Sequence, residues 1–256
     1  MASDAPVGVF DSGMGGISVL AELRRQLPGE RFLYYGDNLH APYGTRTPEE
    51  VLSLSTGVFE LLLARGVKAV VIACNTATSV AAAGLRAQYP ELPIIGMEPA
   101  LKPASLLRHG GRILVLATPM TLRLEKFRVL MTRWGEGAVP IPCPELVEMV
   151  ERQQLPEARA YLQALYRREA AQGPVDAIVL GCTHYVFLRP LLREIVPAET
   201  AILDGNEGTA RQLRRVLAAR GLLSSREAGS VELDTSGAPE TVLPMMRQLL
   251  AMAELF

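Results

Sequence analysis

Short apolar runs along the chain alternate with longer segments that have helical spacing. Four of the runs end in a small or polar residue, namely VGVF at 7–10, AVVIA at 69–73, RILVLA at 112–117 and AIVLG at 177–181. Continuous aliphatic runs of this kind are typical of strands that are buried on both faces of a parallel sheet. The pattern therefore predicts parallel strands separated by helices, which is an α/β fold.

The segments between the runs carry helix start and stop signals. Thr47 is a predicted N-cap, Pro48 takes the first helical position and Glu50 is the capping-box partner, ahead of an apolar-rich segment that closes at Gly66. Two later helical segments, 155–173 and 206–221, also end at a glycine. A short strand at 231–235 and a final helix starting near Pro244 follow, and we expect this tail to pack on the first half.

The strand ends repeat at a nearly constant spacing. Thr118 follows Asp11 by 107 residues, and Cys182 follows Cys74 by 108. The same spacing would also arise from two similar βαβ segments that are not an internal repeat. If the repeat is real, two similar parallel-sheet α/β domains are related by a pseudo-twofold axis, with the active site in the cleft between them. Ligands of open α/β sheets bind outside the carboxyl ends of the strands.

Composition narrows the class of ligand. Lys and Arg number 26 against 27 Asp and Glu, so the chain lacks the basic field of a nucleic-acid-binding protein and a small molecule is the expected partner. No apolar run reaches the roughly 20 residues of a membrane span. The opening MASDAPVGVFDSG has no basic segment followed by an apolar run, so we expect a cytoplasmic protein.

The three cysteines contain no C-x-x-C pair, which argues against a disulfide framework and a structural zinc site. Cys74, in ACNTAT, precedes possible helix caps at Asn75, Thr76, Thr78 and Ser79, an environment that favours a thiolate. Cys182, in GCTHY, is followed by His184, which can orient, activate or reprotonate a thiol. Each alone could be a buried structural residue. Their matched positions indicate two working thiols.

Other polar residues accompany these strand ends. In FDSGMGG, which matches no nucleotide-binding glycine motif, Asp11 can receive an ammonium group or assist a proton transfer, and Ser12 can donate to a carboxylate. The turn GDNLHAPYG can aim Tyr43 and the backbone at Gly44 toward a ligand. Cys143, between prolines, is predicted to be structural. Three acids follow it: Glu145, Glu148 and Glu151.

Together, the motifs DSGMGG, YYGDNLHAPYG, ACNTAT, CPELVEMVE and GCTHY resemble, in this order, those of the cofactor-independent aspartate/glutamate racemase family. The first of them resembles the loop of the glutamate-specific members. The resemblance implies a first domain at 1–97 plus 207–256 carrying Cys74, and a second at 98–206 carrying Cys182. It also implies a homodimer that interconverts L- and D-glutamate without cofactor or metal and supplies D-glutamate for peptidoglycan.

The resemblance also implies roles for individual residues. Cys74 and Cys182 correspond to the two acid/base thiols, with Cys74 acting on D-glutamate and Cys182 on L-glutamate. The assisting groups and substrate contacts are Asp11, Ser12, Tyr43, Gly44, Asn75, Thr76, Glu151, Thr183 and His184. Glu148 stands where the family commonly has proline, so it competes with Glu151 for the assisting role, although the spacing from Cys143 and Cys182 favours Glu151.

Two thiols on opposite faces of an amino acid suit racemisation, because one removes the Cα proton and the other delivers a proton. Alternatives remain open at this point. They are a racemase of another amino acid such as aspartate, a Cys-His-Glu hydrolase with Cys182 as nucleophile, and a two-lobed binding module. A pyridoxal-phosphate racemase needs a Schiff-base lysine, but Lys68, Lys102 and Lys126 lie outside any phosphate-binding glycine motif.

Overall fold

The computed structural model describes residues 4–255, which form two compact units. The first unit combines the chain up to Met97 with the chain from Asn206 onward, and the second is Glu98–Gly205. Residues 1–3, in the opening segment, and Phe256, at the end of the predicted last helix, lie outside the described residues.

The strands and helices alternate along the chain. The strands are β1 (Val7–Asp11), β2 (Arg31–Gly36), β3 (Ala69–Ile72), β4 (Ile94–Gly96), β5 (Arg112–Ala117), β6 (Ala138–Pro142), β7 (Val175–Leu180), β8 (Ala201–Asp204) and β9 (Ser230–Thr235). The helices are α1 (Ile17–Gln26), α2 (Pro48–Ala64), α3 (Asn75–Gln88), α4 (Leu101–Leu106), α5 (Pro119–Arg123), α6 (Glu125–Trp134), α7 (Glu145–Glu151), α8 (Leu155–Ala170), α9 (Arg189–Ile195), α10 (Asn206–Ala219) and α11 (Pro239–Ala253). Short 3₁₀ helices cover Asn38–His40, Tyr43–Thr45 and Thr183–Leu188.

The first unit contains a parallel sheet with the strand order β4-β3-β1-β2-β9. Its central strands β1 and β3 are buried along their whole length, as expected for strands covered on both faces. The tail returns to this unit as predicted, because β9 pairs with β2 and both α10 and α11 pack against α1.

The second unit contains a parallel sheet with the order β6-β5-β7-β8. Aliphatic residues of β5 and β7 form its core together with apolar residues of α4 and α6; among them are Ile113, Val115, Val179, Leu101 and Phe127. The α/β prediction with two parallel sheets is therefore confirmed. If β9 is left out, the two sheets have the same strand order. The strands β1, β2, β3 and β4 of the first sheet then correspond to β5, β6, β7 and β8 of the second.

The four predicted apolar runs form β1, β3, β5 and β7, which occupy the middle of the two sheets. Thr47 and Glu50 form the predicted capping box of α2. The predicted start of the last helix is wrong: α11 begins at Pro239 and contains Pro244 in its interior. Pro239 at the first helical position needs no intrahelical partner for its nitrogen, which makes it the better start.

The sequence pattern missed the flanking strands β2, β4, β6 and β8. β6 contains two prolines and is an edge strand, where a missing N–H group is tolerated. Among the described residues, none of the helices combines the length and the apolar character that a membrane span requires.

Candidate functional site

The carboxyl ends of β1 and β3 bring Ser12 and Cys74 together in the first unit. The two strands are neighbours, and the N–H of Ala73 donates to the carbonyl of Phe10 at 2.7 Å, which continues the ladder to the last residue before the thiol. Cys74 Sγ then lies 3.8 Å from Ser12 Oγ. Both side chains are nearly buried, so this thiol has little contact with bulk water.

Cys74 is itself the N-cap of α3. Its Sγ accepts a hydrogen bond from the N–H of Ala77 at 3.4 Å. The expectation that the polar residues after Cys74 cap this helix is wrong, because they lie inside it: Thr78 donates to the carbonyl of Ile72, and Ser79 donates to that of Asn75. A sulfur at a helix N-terminus faces unpaired N–H groups and the positive end of the helix dipole, which favours its anionic form.

Asn75 is the buried residue in this site whose polar atoms are unused. Neither its Oδ1 nor its Nδ2 has a hydrogen-bond partner within the described part of the chain. Buried amide groups are normally paired, and an unpaired one calls for an explanation such as a ligand. Thr76, the next residue, is also buried. Asn75 therefore offers one acceptor and two donor positions to a bound molecule.

Asp11 is fully buried and shapes the loop after β1. Its Oδ2 accepts from the N–H groups of Gly13 at 3.2 Å and Gly16 at 3.0 Å. A Cβ at Gly16 would lie 2.7 Å from the Cβ of Asp11, so the tight loop requires glycine there. Tyr34 donates to the carbonyl of Gly13 at 2.7 Å and holds the loop from the sheet side. At least one carboxylate oxygen of Asp11 thus organises the backbone beside Ser12.

Tyr43 is buried and faces an acid that the sequence analysis did not select. Its hydroxyl donates to Asp37 Oδ2 at 2.6 Å, while Asp37 Oδ1 lies 2.8 Å from His40 Nδ1 and accepts from Ser236 Oγ at 2.7 Å. Burial and the hydrogen bond to Asp37 hold the pKa of Tyr43 well above its ordinary value, so Tyr43 keeps its proton. Gly44 is buried beside it. Asp37 belongs to the turn GDNLHAPYG, and its place in this turn is the sequence signal that could have identified it.

In the second unit, Cys182, His184 and Glu151 form a chain of contacts. Cys182 lies two residues after the end of β7, and its Sγ lies 3.9 Å from His184 Nδ1. His184 Nε2 lies 2.9 Å from Glu151 Oε1, at the end of α7. Glu148, the competing acid, is exposed and pairs with Arg152. The structure thus brings Glu151, and not Glu148, to the histidine.

The buried imidazole of His184 is stabilised in its charged form. Burial by itself lowers the pKa of a histidine, but hydrogen bonds with Cys182 and Glu151 and the charge of Glu151 outweigh it and raise the pKa of His184 well above the ordinary value. Thr183, the residue between thiol and imidazole, is buried as well. A protonated imidazole beside Cys182 can donate to a thiolate or to a substrate anion.

The hydrogen-bond register matches the two sites residue by residue. The N–H of Gly181 donates to the carbonyl of Leu116 at 2.7 Å, as that of Ala73 does to Phe10. Cys182 therefore corresponds to Cys74, as the spacing predicts. The same register makes Thr118 correspond to Ser12 and not to Asp11, which corrects the predicted match by one residue. Thr118 is buried and caps α5.

Cys143 and Asp37 also correspond, since the N–H of Cys143 donates to Ala117 O and that of Asp37 to Asp11 O, both at 3.0 Å. Cys143 is fully buried, and its pKa is raised to about 12, chiefly by that burial. It is therefore a thiol at physiological pH. None of the three cysteines, all of which lie in the described part of the chain, forms a disulfide.

Each of the three lysines contacts a side chain that is not among the candidate site residues. Lys68 lies at the amino end of β3, opposite Cys74, and forms a fully buried ion pair with Glu30 at 2.6 Å. Lys102 lies over the ring of Trp134, and Lys126 pairs with Glu98. Among residues 4–255, no group of three His, Cys, Asp or Glu side chains is arranged to hold a metal ion.

The sequence model of the Asp/Glu/hydantoin racemases matches residues 8–213. The chain belongs to this family. A glutamate racemase from Bifidobacterium adolescentis is 50% identical over 257 residues, with 98% of this chain and 99% of the relative covered. The predicted resemblance is therefore confirmed, and so is the prediction of an isomerase of the racemase type.

Solved structures agree with the sequence comparison. A glutamate racemase from Thermus thermophilus superposes with a TM-score of 0.80 at 34% identity, covering 97% of this chain and 94% of the other. The isoform RacE1 from Bacillus anthracis, also a glutamate racemase, gives a TM-score of 0.83 at 29% identity and covers 96% and 94%.

Proposed function

We propose that this chain is a glutamate racemase that moves a proton at the Cα atom between Cys74 and Cys182. The observation that carries the proposal is the match between the two thiols: each follows the second-from-edge strand of the same four-strand order, at the same position in the hydrogen-bond register. The near full-length similarity to glutamate racemases supports glutamate as the substrate.

Racemisation needs one group to remove the Cα proton and another to deliver a proton to the opposite face. The proposal requires that the strand ends of both units reach one substrate molecule, with Cys74 acting on D-glutamate and Cys182 on L-glutamate. In each direction one cysteine starts as thiolate and the other as thiol. The N–H of Ala77 supports a thiolate at Cys74, and the imidazole of His184 supports one at Cys182.

The carbanion is the energetic difficulty of this reaction, because the chain contributes no electron sink of its own. Preorganised donors can stabilise the negative charge that spreads onto the substrate carboxylate. Ser12, Asn75, Thr76 and Thr183 are the proposed donors, and the unused amide of Asn75 is the group best available for the purpose. We assign Asp11 to the substrate ammonium, Tyr43 and Gly44 to further contacts, and Glu151 to the support of His184.

Deuterium incorporation tests the reaction and its two-base character together. L-glutamate incubated with the enzyme in deuterated water should give D-glutamate that carries deuterium at Cα, while the remaining L-glutamate stays protiated at early times. Aspartate and D-glutamate run in parallel define the substrate. If no D-glutamate forms and no Cα deuterium appears, the chain is not a glutamate racemase. Early deuterium in the unreacted L-glutamate as well would instead indicate exchange at a single base.

Single substitutions test the assignment of the thiols. Cys74→Ser and Cys182→Ser should each abolish racemisation, while Cys143→Ser, which leaves the Cys143 carbonyl in place, should retain most of it. A covalent adduct of glutamate amides on Cys182 with release of a hydrolysed product would favour the Cys-His-Glu hydrolase.

The homodimer and the supply of D-glutamate to peptidoglycan belong to the same proposal. Light scattering of the purified protein and complementation of a D-glutamate auxotroph test them.

A further inference from the structure

The contact between His184 and Glu151 joins two elements that are distant along the chain. His184 lies in the 3₁₀ turn after β7, whereas Glu151 is the last residue of α7, 33 positions earlier. The 2.9 Å separation of Nε2 and Oε1 requires that this turn and this helix keep a fixed relative position. This contact lies at the end of α7, so it does not itself hold the beginning of the helix.

Tyr185 supplies a second connection between the same two elements. Its hydroxyl donates to the backbone carbonyl of Cys143 at 2.5 Å, two residues before α7 begins. The side chain of Tyr185 is 1% exposed. Burial holds the pKa of Tyr185 well above its ordinary value, so the hydroxyl stays protonated and can donate this hydrogen bond.

The two hydrogen bonds hold opposite ends of α7. α7 has seven residues, and at about 1.5 Å per residue its ends are about 10 Å apart. Tyr185 holds the beginning of α7 through Cys143, and its sequence neighbour His184 holds the end through Glu151. These two anchors act together with the buried apolar residues of α7, Leu146, Val147 and Val150, and at this separation they restrict the tilt of the helix.

We propose that Tyr185 is a positioning residue that keeps Glu151 in contact with His184 by anchoring the start of α7 at the Cys143 carbonyl. This inference rests on the proposed function for its effect on catalysis, but the contact between His184 and Glu151 can be measured independently of any reaction. Tyr185 acts through Cys143 and α7, so its loss should affect the turnover step and leave substrate affinity largely intact.

The test compares Tyr185→Phe with Tyr161→Phe. Tyr161, on α8, lies beside the thiol of the same Cys143, so the control removes a hydroxyl near this residue without touching its carbonyl. Tyr185→Phe should lower kcat for both directions of glutamate racemisation by about tenfold or more, with KM changed less than threefold, because misplaced catalytic groups reduce turnover steeply. Tyr161→Phe should stay within about twofold of the wild type, since it leaves both anchors of α7 intact.

A titration of His184 by nuclear magnetic resonance provides the readout that a merely structural role does not move. With Glu151 displaced, the pKa of His184 should fall toward its ordinary value in Tyr185→Phe and stay raised in Tyr161→Phe. A Tyr185→Phe protein that melts earlier but keeps wild-type kcat and an unchanged His184 titration overturns the inference. If the wild type does not racemise glutamate, the proposed function fails, and the titration alone decides the role of Tyr185.

If Tyr185→Phe yields no folded protein, Tyr185→4-aminophenylalanine replaces it in the same measurements. The amino group retains an N–H donor toward Cys143 but forms a weaker hydrogen bond than the phenol. The expected result is a smaller loss of kcat together with a smaller decrease of the His184 pKa. A loss of kcat without any change in the His184 titration contradicts the inference.

Discussion

The hydroxyl of Tyr43 donates a hydrogen bond to Asp37 at 2.6 Å, which links the proposed substrate loop to the acid that follows β2. Asp37 also holds Ser236, in the segment after β9, and His40 within the loop. One buried carboxylate therefore determines the positions of a proposed substrate contact and of the chain that returns from the second unit.

Replacing Asp37 should weaken substrate binding through Tyr43. In Asp37→Asn the charge is lost and the amide cannot satisfy all three donors, so we expect KM for glutamate to rise about tenfold and stability to fall by about 1–3 kcal/mol. Ser236→Ala removes one hydrogen bond from Asp37 and leaves Tyr43 in place, so its KM should change much less. Steady-state kinetics and urea unfolding measure both effects. Equal changes of KM in the two variants would show that Asp37 does not affect substrate binding through Tyr43.

Glu151 helps to raise the pKa of His184, so it should favour the protonated form of this histidine. A histidine with a raised folded-state pKa adds stability that is fully present below its ordinary pKa of about 6.5 and is lost as the pH rises through the folded value. We expect Glu151→Gln to lower the pKa of His184. The loss of stability should be largest at pH values below the ordinary histidine pKa, where the wild-type contribution is fully present.

The chain has only three histidines, so their ring resonances can be assigned by single substitutions and followed directly with pH. The same Glu151→Gln variant should move any activity limb governed by His184 to lower pH. Glu148→Gln is the matched control, because Glu148 pairs with Arg152 at the surface and not with His184. A His184 titration that shifts more in Glu148→Gln than in Glu151→Gln would reverse the assignment of the assisting acid.

Residual exchange in the cysteine variants should reveal which thiol serves which enantiomer. With Cys182 replaced by Ser, Cys74 can still remove and return a Cα proton, so any slow deuterium uptake should be confined to D-glutamate. Cys74→Ser should confine it to L-glutamate. Mass spectrometry after chiral separation measures both. The opposite pattern would exchange the roles of the two thiols and leave the two-base mechanism intact.

The buried ion pair of Lys68 and Glu30 should be important for stability and not for catalysis. Lys68→Met removes the cation from a buried carboxylate, that of Glu30, which also accepts a hydrogen bond from the N–H of Ser224. An unpaired buried charge of this kind should lower the free energy of unfolding by about 3–5 kcal/mol. Arg211→Ala breaks an exposed pair with Glu207 and should cost about 0–1 kcal/mol.

Chemical denaturation compares these two variants, and a Lys68→Met, Glu30→Gln double variant should recover part of the loss. Folded Lys68→Met protein should racemise glutamate at close to the wild-type rate, since Lys68 lies at the other end of β3 from Cys74. Loss of activity in fully folded protein would reopen the Schiff-base alternative.

The central strands and the matched thiols were predictable because they leave local signals. An apolar run that stops at Cys74 or Cys182 marks a strand and its end in one stretch of sequence, and the constant spacing relates the two. The flanking strands were not predictable in this way. β6 reads as AVPIP, and its two prolines conceal a strand that survives only because it lies at an edge.

The contacts that organise the site depend on register, which the sequence does not display. The match of Thr118 with Ser12 follows from ladder hydrogen bonds between strands that are more than 60 residues apart, and a count of spacings misses it by one position. Cys74 as a helix cap was hidden for another reason: the polar residues after it are stronger capping types, yet the strand ends one residue too early for them to cap.

The placement of β9 has a consequence for biosynthesis. The first sheet receives its fifth strand from residues 230–235, after the whole of Glu98–Gly205 has been made. A ribosome therefore releases the sequence of the Cys182 unit as one uninterrupted stretch, whereas the Cys74 unit must wait with the edge of β2 uncovered until the tail emerges. During that interval the first sheet has an open strand edge, and open edges are the parts of a sheet that pair most readily with other chains.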